Sequence, residues 1–590
     1  MDRISHKHKI YLDTHLDSQQ IDIITAPRGP VCVFAGAGTG KTNTIINRIG
    51  YIVATGRIPA NQILAVTFTV RAANEMKSRL YILGQKLEIN TKTVQVATFH
   101  SAAYKQLKYF WKKLIGNVRW KLLENKLSII KQASSKSKLE FSNTELHNLA
   151  IEIEWAKGSL IAPEDYARIV DKIKHKTSIN KNQVAEVYLN YEALKTHQFK
   201  SLLLDFDDLL LYIAAAIEND FTIAQEFYNF YRCFVVDEYQ DITPLQQRVL
   251  DAWLGKRDDI TVVGDPNQSI YSFIGSNSCF LLNFSKKFSS SFMAKFERNY
   301  RSTPQILTLA NKLIHHAKSE IKKHKIFLVG QKKIGPKPTF FEYPDDITEA
   351  YSIVQSIRSY ITYGINPSEI AVLYRTNLQS KIYKEALNSS RILYQINDNE
   401  TFFDYKDISQ ILILMQNLAK KNISEGKLIS FINNIFKLSG LTTNPPSNIK
   451  AYKRWKSLKA LKTLINQEIS KNQEIKLLDL ITKIHQIYVL KNTPYLNDNS
   501  ITLASLHSSK GLEWNVVFII GINDGMLPTY HSLFQGTCNK LLEEERRLLY
   551  VGITRARIYL SISWALKNTP TDSSHVRSKS RFLKEISPQL

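Results

Sequence analysis

Residues Val31–Thr42 have the sequence VCVFAGAGTGKT, and this stretch decides the fold. Its first four residues, Val31–Phe34, predict a buried strand, and the glycine-rich segment after them leads into a helix that extends to about Ile52. Glycines allow consecutive backbone N–H groups to surround phosphate groups, and the N-terminus of the following helix adds a favourable dipole. A strand, a glycine loop and a helix in this order predict a phosphate-binding loop in a parallel sheet.

Other short apolar runs continue this alternation of strands with helices. Further strands are predicted at Ile63–Phe68, Val94–Thr98, Cys233–Val236, Ile260–Val263, Ile370–Tyr374 and Val516–Ile520. Apolar strands that alternate with helices are typical of a parallel sheet that is covered on both faces. Two Lys-rich stretches, 103–201 and 404–500, are helical in period and interrupt the alternation. We therefore predict an α/β fold with two doubly wound parallel-sheet cores, each with a helical insertion.

A chain of 590 residues is long enough for about four domains. The expected division is a first core at 1–102 and 202–299, a helical insertion at 103–201, a second core at 300–403 and 501–590, and a second helical insertion at 404–500. Because the insertions interrupt both cores, each core has to assemble from two segments that are distant in the sequence.

The charge balance favours a polyanionic partner. Lys and Arg number 78 and Asp and Glu number 53, which gives a formal net charge of +25 at pH 7. Nucleic acid is the first candidate, because cations that neutralise its phosphates release condensed counterions. A proteome that is basic throughout explains the charge equally well, so the charge alone does not establish a nucleic-acid partner.

Cysteine usage and the N-terminal residues indicate a reducing, cytoplasmic location. The four cysteines, Cys32, Cys233, Cys279 and Cys538, form no CxxC pair and no Cys/His cluster, so we expect no zinc site. The first residues, MDRISHKHKIYLD, have no apolar core, so we expect no signal peptide. The longest apolar runs are too short to cross a bilayer, so we expect no membrane partner.

Two groups of residues predict a site for ATP and Mg²⁺. The phosphate loop consists of Ala35, Gly36, Ala37, Gly38, Thr39, Gly40, Lys41 and Thr42. Lys41 would reach the β- and γ-phosphates, and the hydroxyl of Thr42 would bind the metal ion. Asp237 and Glu238 follow an apolar strand, at the sheet edge where ligands bind. Asp237 can bind Mg²⁺, and Glu238 can orient and deprotonate the attacking water.

Motifs cover almost the whole chain, from Leu16 to Ile586, in a characteristic order. They are Leu16–Gln20 (LDSQQ), Ala35–Thr42 (AGAGTGKT), Thr67–Thr69 (TFT), Thr98–Ser101 (TFHS), Asp205–Leu210 (DFDDLL), Asp237–Asp241 (DEYQD), Val263–Asp265 (VGD), Gln268–Tyr271 (QSIY), Asn299–Thr303 (NYRST), Leu373–Asn377 (LYRTN), His507–Glu513 (HSSKGLE) and Tyr550–Ala556 (YVGITRA). Together they resemble the UvrD/Rep/PcrA-like superfamily 1A DNA helicases, whose motor consists of two RecA-like cores. The whole set is far more specific than any one motif.

The resemblance implies roles for residues around the nucleotide. Gln20 would recognise adenine, and Tyr300 would stack on it. Gln268 would sense the γ-phosphate, and Arg301 would contact it. Glu513 would hold the ribose.

The resemblance also implies an arginine finger, Arg555, on the second core, while Lys41 and Glu238 lie on the first. Hydrolysis would then require closure of a cleft between the cores, and product release would open it, which is the motor stroke. The predicted catalytic residues are Lys41, Asp237, Glu238, Gln268, Arg301 and Arg555.

The same resemblance predicts a track of single-stranded DNA. Phe68, Tyr271 and Phe273 are the candidates for stacking on bases, a contact that tolerates any sequence. The remaining candidates for DNA contact are Thr98, His100, Arg375, Asn377 and His507. Core packing is the alternative for each aromatic residue: stacking is favoured for Phe68, and Phe99 is close to even.

We therefore expect an ATP-dependent helicase that moves 3′→5′ on single-stranded DNA and on 3′-tailed duplexes in DNA repair or replication, as a monomer or an activated dimer. The first alternative is a single-strand translocase that displaces proteins and unwinds little. It is supported by the segment Leu566–Lys579, which lacks the aromatic tip of the family's wedge hairpin, and by the short second insertion. A non-catalytic DNA-binding scaffold is disfavoured, because every phosphate-handling residue is present.

Overall fold

The structure is a computed structural model that describes residues 16–587 and 589, except 124, 174, 176, 198–200, 318–325, 398–410, 413, 416–427, 447–448, 472–476, 478, 482–483, 485–498, 535–538 and 569–575. The chain folds into two compact units. The first is Met1–Gly335 with Pro528–Thr554 and Lys584–Leu590, and the second is Pro336–Leu527 with Arg555–Leu583. Each unit is described by itself.

Among the described residues, the first unit contains ten strands and most of the helices. The strands are β1 (Val31–Ala35), β2 (Ile63–Thr67), β3 (Gln95–Thr98), β4 (Trp120–Leu122), β5 (Leu202–Leu204), β6 (Cys233–Val236), β7 (Ile260–Gly264), β8 (Phe292–Phe296), β9 (Arg298–Asn299) and β10 (Val329–Gly330). The helices are α1 (Ser18–Thr25), α2 (Lys41–Ala54), α3 (Val70–Leu87), α4 (Phe99–Ile115), α5 (Lys126–Lys136), α6 (Asn143–Gly158), α7 (Tyr166–Ile173), α8 (Lys181–His197), α9 (Phe206–Asn219), α10 (Phe221–Phe230), α11 (Pro244–Leu254), α12 (Cys279–Leu282), α13 (Phe284–Lys287) and α14 (Pro304–His315).

Six of these strands form the main sheet of the first unit. Their order is β3-β2-β6-β7-β1-β8, and every pair is parallel. All residues of β1, β2, β6 and β7 are buried, because helices cover both faces. The order places β1 beside β7, so residues that follow these two strands meet at one edge of the sheet.

The helices α5–α8 have a hydrophobic core of their own. Ile130, Leu149, Ile153 and Tyr191 are completely buried within it. The short parallel strands β4 and β5 pair where the chain enters and leaves these helices.

A buried ion network joins these helices to α9. The ammonium of Lys157 lies 2.7 Å from Asp205 Oδ2 and 2.5 Å from Asp208 Oδ1, and Lys195 lies 3.0 and 2.7 Å from the same two carboxylates. Burial by itself would raise the pKa of Asp205, but the two ammonium groups hold it well below its usual range. Loss of one partner would leave a buried charge uncompensated, so the network fixes α6 and α8 on α9.

The second unit repeats the parallel architecture. Its strands are β11 (Thr339–Tyr343), β12 (Ile370–Tyr374), β13 (Tyr394–Asn397), β14 (Ile501–Ser505), β15 (Trp514–Ile519) and β16 (Ala556–Ala565), in the order β11-β16-β15-β12-β14-β13. All neighbouring pairs are parallel. The predicted fold class, an α/β fold with two parallel-sheet cores interrupted by helices, is confirmed.

Between β13 and β14, the described part of the second unit includes a helix of 11 residues and one of 23 residues. The second unit contains α15 (Asp346–Thr362), α16 (Ser380–Ser389), α17 (Leu428–Leu438) and α18 (Ile449–Lys471). Phe436, Leu461 and Ile465 of α17 and α18 are buried in a separate hydrophobic cluster. The chain then forms α19 (Tyr530–Phe534) and α20 (Asn539–Ile553), which belong to the first unit, and ends with α21 (Arg581–Ile586). Among the described residues, no helix combines the length and apolar character needed to cross a membrane.

A buried carboxyl group stands at the end of the second sheet. Glu349 of α15 is 2% exposed, and its Oε1 accepts hydrogen bonds from the Gly521 N–H at 3.1 Å and from the Ser563 hydroxyl. Burial raises the pKa of Glu349 to about 7. The folded protein therefore retains a proton that the unfolded chain releases near pH 4.5.

We expect Glu349→Gln to remove part of the pH dependence of stability. In the wild type, this carboxyl stabilises the fold fully below pH 4.5, and the contribution is lost as pH rises through about 7. Gln keeps the acceptor oxygen but cannot ionise, so the mutant should gain up to about 3 kcal/mol over the wild type between pH 5 and pH 8. Hydrogen exchange of the β15 and β16 amides at several pH values measures this difference in stability between the two proteins.

Glu385→Gln is the matched control, since Glu385 is an exposed glutamate on α16. It should follow the wild type at every pH. An unchanged pH slope in the Glu349→Gln protein would show that Glu349 ionises normally in the folded state.

Candidate functional site

The phosphate loop takes a conformation that requires glycine. Gly38 and Gly40 have φ angles of +66° and +84°, in the left-handed region that other residues rarely adopt. A Cβ atom on Gly38 would lie 2.6 Å from the side-chain nitrogen of Asn299. The last glycine, Gly40, is the N-cap of α2, so the loop opens directly onto the helix N-terminus.

Gln20 holds the loop from the side of α1. Its Nε2 donates to the carbonyl oxygen of Thr39 at 3.1 Å, and its backbone N–H donates to Asp17 Oδ1 at 2.8 Å. Its Oε1 accepts from the Asp17 N–H at 3.4 Å, so both ends of the amide are engaged within the protein. Recognition of adenine by Gln20 stays a prediction.

Asn299 ties the segment after β8 to the same loop, a role that the sequence did not predict. Its Nδ2 donates to the Ala37 carbonyl oxygen at 2.6 Å, and its Oδ1 accepts from the N–H groups of Arg301 and Ser302 at 2.9 and 2.8 Å. Its side chain is completely buried. Asn299 has no reactive group, so its place at the start of the NYRST motif is the only sequence signal for it.

The two residues that follow Asn299 lie beside the loop. The Tyr300 N–H donates to the Gly38 carbonyl oxygen at 2.9 Å, and its hydroxyl donates to Asp17 Oδ2 at 2.5 Å. Tyr300 is 43% exposed, so stacking on a base stays a prediction that its exposure allows. Arg301 is half-buried, and its Nη1 donates to the Thr554 carbonyl oxygen at 3.4 Å.

The predicted metal and catalytic residues meet at the ends of β1 and β6. The Thr42 hydroxyl donates to Asp237 Oδ2 at 3.2 Å, and Lys41 Nζ lies 3.6 Å from Glu238 Oε1. Among the described residues, the buried Lys41 ammonium finds no hydrogen-bond acceptor, so it is available to an anionic ligand. Burial, with the nearby charge of Glu238, raises the pKa of Asp237 to about 6.

This donor set fits a nucleotide and a divalent cation. An ammonium without a hydrogen-bond acceptor suits phosphate oxygens, and a hydroxyl beside a carboxylate suits Mg²⁺. Glu238 has a φ of +55°, which is unusual outside glycine and costs about 1 kcal/mol. Such strain is typical of catalytic positions, because the surrounding structure has to hold the side chain in place.

Gln240 and Asp265 connect Glu238 to Gln268; the sequence placed both in motifs but predicted no role for either. Gln240 Nε2 donates to Glu238 Oε2 at 2.5 Å and to Asp241 Oδ2 at 3.0 Å, while its Oε1 accepts from the Asp265 N–H at 3.0 Å. Gln268 Nε2 donates to Asp265 Oδ2 at 2.7 Å. All of Gln240, Asp265 and Gln268 are buried, so the chain of bonds runs through a region of low dielectric.

The first unit also brings together the predicted stacking aromatics. The Phe68 and Tyr271 rings are stacked with centroids 4.7 Å apart, and Tyr271 meets Phe273 edge to face at 6.0 Å. Phe273 is 51% exposed. Phe99, in contrast, is buried and stacks on Trp253 at 5.5 Å, so it packs in the core.

One cleft contains DNA candidates and catalytic carboxylates together. Phe68, Thr98 and His100 line it with Asp237 and Glu238. The Thr98 hydroxyl caps α4 by accepting from the Ser101 N–H at 3.1 Å, and burial lowers the pKa of His100. The DNA candidates and the carboxylates are therefore neighbours in the first unit.

In the second unit, the predicted DNA residues lie after two adjacent strands. Arg375 and Asn377 follow β12, His507 follows β14, and these strands pair in parallel. Burial, together with the charges of Arg375 and Lys510, lowers the pKa of His507 to about 3. The imidazole is therefore neutral at physiological pH, and it can accept a hydrogen bond as well as donate one.

The remaining predicted nucleotide residues also belong to the second unit. Glu513 accepts from Arg557 Nε at 3.1 Å. Arg555 is buried, and its Nη1 donates to the Leu512 carbonyl oxygen at 3.1 Å. Their roles toward ribose and the γ-phosphate stay predictions.

Family models match almost the entire chain. The UvrD/REP helicase N-terminal domain matches residues 16–289, and the UvrD-like helicase C-terminal domain matches residues 294–440 and 427–567. The chain belongs to the UvrD/REP helicase family. The predicted family and enzyme class are therefore confirmed.

Several relatives in the UvrD/REP helicase family are similar over nearly the whole chain. The ATP-dependent DNA helicase UvrD2 of Mycobacterium tuberculosis (strain ATCC 25618 / H37Rv) is 47% identical over 576 residues, which cover 97% of this chain and 82% of the relative. The ATP-dependent DNA helicase PcrA of Bacillus subtilis (strain 168) is 27% identical, with 98% and 86% covered. The ATP-dependent DNA helicase Rep of Buchnera aphidicola is 29% identical, with 97% and 98% covered.

We expect Asn299→Ala to weaken nucleotide binding more than turnover. The change removes one hydrogen bond from the NYRST motif to the phosphate loop and two within the motif, and leaves the Ala37 carbonyl oxygen buried without this donor. The KM for ATP should rise about ten-fold, while kcat at saturating ATP changes less. Steady-state ATPase kinetics and binding of a fluorescent ATP analogue measure both.

Asn219→Ala is the control, since Asn219 is an exposed amide at the end of α9. It should leave both constants at wild-type values. A fall in kcat without a change in KM would assign Asn299 to catalysis instead of binding.

Proposed function

We propose that this chain is a motor that moves 3′→5′ on single-stranded DNA, hydrolyses ATP with Mg²⁺ and unwinds 3′-tailed duplexes in DNA repair or replication. The cleft that Phe68, Thr98 and His100 share with Asp237 and Glu238 carries this proposal. It supports direct communication between the DNA track and the site of hydrolysis, which a motor requires. The relatives named ATP-dependent DNA helicase support the same activity.

Hydrolysis in this proposal depends on positioned charges. Lys41 binds the β- and γ-phosphates, and Glu238, held by Gln240, orients and deprotonates the attacking water. Thr42 and Asp237 would hold Mg²⁺, which neutralises charge on the phosphates. Gln268 reports the presence of the γ-phosphate through its hydrogen bond to Asp265.

The remaining nucleotide and DNA contacts follow the family motifs. Gln20 and Tyr300 bind the adenine, and Glu513 binds the ribose. Arg301 contacts the γ-phosphate, and Arg555 is the arginine finger. We also propose the four domains named above, with Arg555 on the second core and Lys41 on the first. The chain works in the cytoplasm as a monomer or an activated dimer.

The DNA track in this proposal is non-specific. The Phe68–Tyr271 stack and the half-exposed Phe273 offer aromatic faces to bases of any sequence. In the second unit, Arg375, Asn377 and His507 contact the phosphate backbone. The net charge of +25 favours association with DNA at low salt.

A single-strand translocase that displaces proteins and unwinds little is the second candidate. The sequence observation that favours it is Leu566–Lys579, LKNTPTDSSHVRSK, which contains no aromatic residue to wedge between the strands of a duplex. Part of this segment lies outside the described residues. The same motor residues serve both candidates, so the two differ only in how the duplex is engaged.

We expect Lys41→Ala to abolish ATP hydrolysis that single-stranded DNA stimulates. The buried ammonium lies 3.6 Å from Glu238, and its loss removes the charge that holds the transferred phosphoryl group. Phosphate release with and without an oligothymidine measures the effect, and Lys256→Ala, an exposed lysine, is the control. Wild-type turnover in the Lys41→Ala protein would contradict the mechanism.

We expect unwinding of duplexes with a 3′ tail and not of those with a 5′ tail. The measurement compares strand separation on both substrates with displacement of streptavidin from the ends of biotinylated single strands. Displacement from the 5′ end without strand separation identifies the translocase. Equal or greater unwinding of 5′-tailed duplexes would overturn the proposed direction.

A further inference from the structure

The segment Ser269–Ser272 connects two parts of the proposed motor. It begins after Gln268, which bonds to Asp265 at 2.7 Å, and it contains Tyr271, which stacks on Phe68 at 4.7 Å. Short 3₁₀ turns flank it at Pro266–Gln268 and Ser272–Ile274. The hydrogen bonds within these turns join only residues that are close in the sequence. Side chains from other elements therefore strongly influence where the segment lies.

Helix α20 holds both ends of this segment. Arg547 Nε donates to the Ser269 carbonyl oxygen at 2.6 Å. One carboxylate oxygen of Glu544 accepts from the Ser272 N–H at 2.9 Å, and the other accepts from the Ser272 hydroxyl. Residues three apart lie on one face of a helix, so Glu544 and Arg547 act on the segment together.

The same helix reaches the carboxylate motif through Ser269. The Ser269 hydroxyl donates to the Gln240 carbonyl oxygen at 3.3 Å, and Gln240 in turn bonds to Glu238. Burial lowers the pKa of Arg547, while the carboxylates of Glu544 and Asp241 act in the opposite direction. Arginine remains protonated under these conditions, so Arg547 provides a fixed positive charge beside the motif.

We propose that Glu544 and Arg547 are positioning residues that fix Ser269–Ser272, so that a shift of Tyr271 on DNA binding is transmitted to Gln268 and Gln240. Neither residue touches nucleotide or DNA in this scheme. The inference rests on the proposed function, because it assumes that Tyr271 contacts DNA and that Gln268 senses the γ-phosphate. Loss of the contact would loosen the segment and uncouple DNA binding from hydrolysis.

The test compares three substitutions. Glu544→Ala removes both bonds to Ser272, Glu544→Gln retains an acceptor for the Ser272 N–H and a polar partner for its hydroxyl, and Ser272→Ala removes only the hydroxyl bond. The readout is the ratio of kcat with saturating oligothymidine to kcat without DNA. We expect this ratio to fall about ten-fold in Glu544→Ala, to stay near wild type in Glu544→Gln and to be intermediate in Ser272→Ala.

Two further variants distinguish an effect on coupling between DNA binding and hydrolysis from an effect on stability. Lys540→Ala, an exposed residue on α20, should keep the wild-type ratio. The double mutant Glu544→Ala/Ser272→Ala should be no worse than Glu544→Ala, because both changes remove the same contact. Thermal unfolding of each protein is recorded beside the kinetics.

Each outcome has a distinct meaning. A wild-type ratio in Glu544→Ala would overturn the inference and leave the proposed function intact. A ratio that falls together with the unfolding temperature, and that Glu544→Gln does not restore, would assign Glu544 to stability alone. A wild-type protein without any stimulation by single-stranded DNA would instead overturn the proposed function.

Discussion

Parallel pairing of β6, β7 and β1 is the constraint on which the site depends. Because the carboxyl ends of parallel strands meet at one edge, the phosphate loop, the Asp237–Glu238 pair and Asp265 converge there although they are far apart in the sequence. Antiparallel pairing would send alternate strand ends to the opposite edge and separate Lys41 from Glu238. The 3.6 Å approach of these two side chains is a direct result.

Gln240 and Asn299 are buried at this edge, so their amide groups require hydrogen-bond partners. Gln240 uses both ends of its amide to join Glu238 to Asp265, and Asn299 does the same between the phosphate loop and the NYRST motif. An amide that donates and accepts at once can stabilise two loops without adding charge. In a low dielectric such bonds are strong, and displacement of one group is costly for its partners. A small shift in one of these loops therefore changes the hydrogen bonds of the loop that it contacts.

Two strands, β12 and β8, differ in how well the sequence predicted them. The strand β12 has the predicted bounds, Ile370–Tyr374, because an apolar run buried on both faces is a clear signal. The strand β8 was not predicted, because it lies at the sheet edge and four of its five residues are at least partly exposed. The helix α20 packs with the first unit although it follows the second in sequence, and no local pattern encodes such a partner.

The sequence by itself determined the family, the fold class and the residue types of the phosphate site, because glycines, a lysine and paired carboxylates have few other uses in that order. Only the tertiary structure decided how these groups are held. It placed Gln240, Asn299, Glu544 and Arg547 as the side chains that fix the loops, and it stacked Phe99 on Trp253 in the core and Phe68 on Tyr271. The physical reason is that amides, ion pairs and aromatic rings acquire a role only from the partners that a distant part of the chain brings to them.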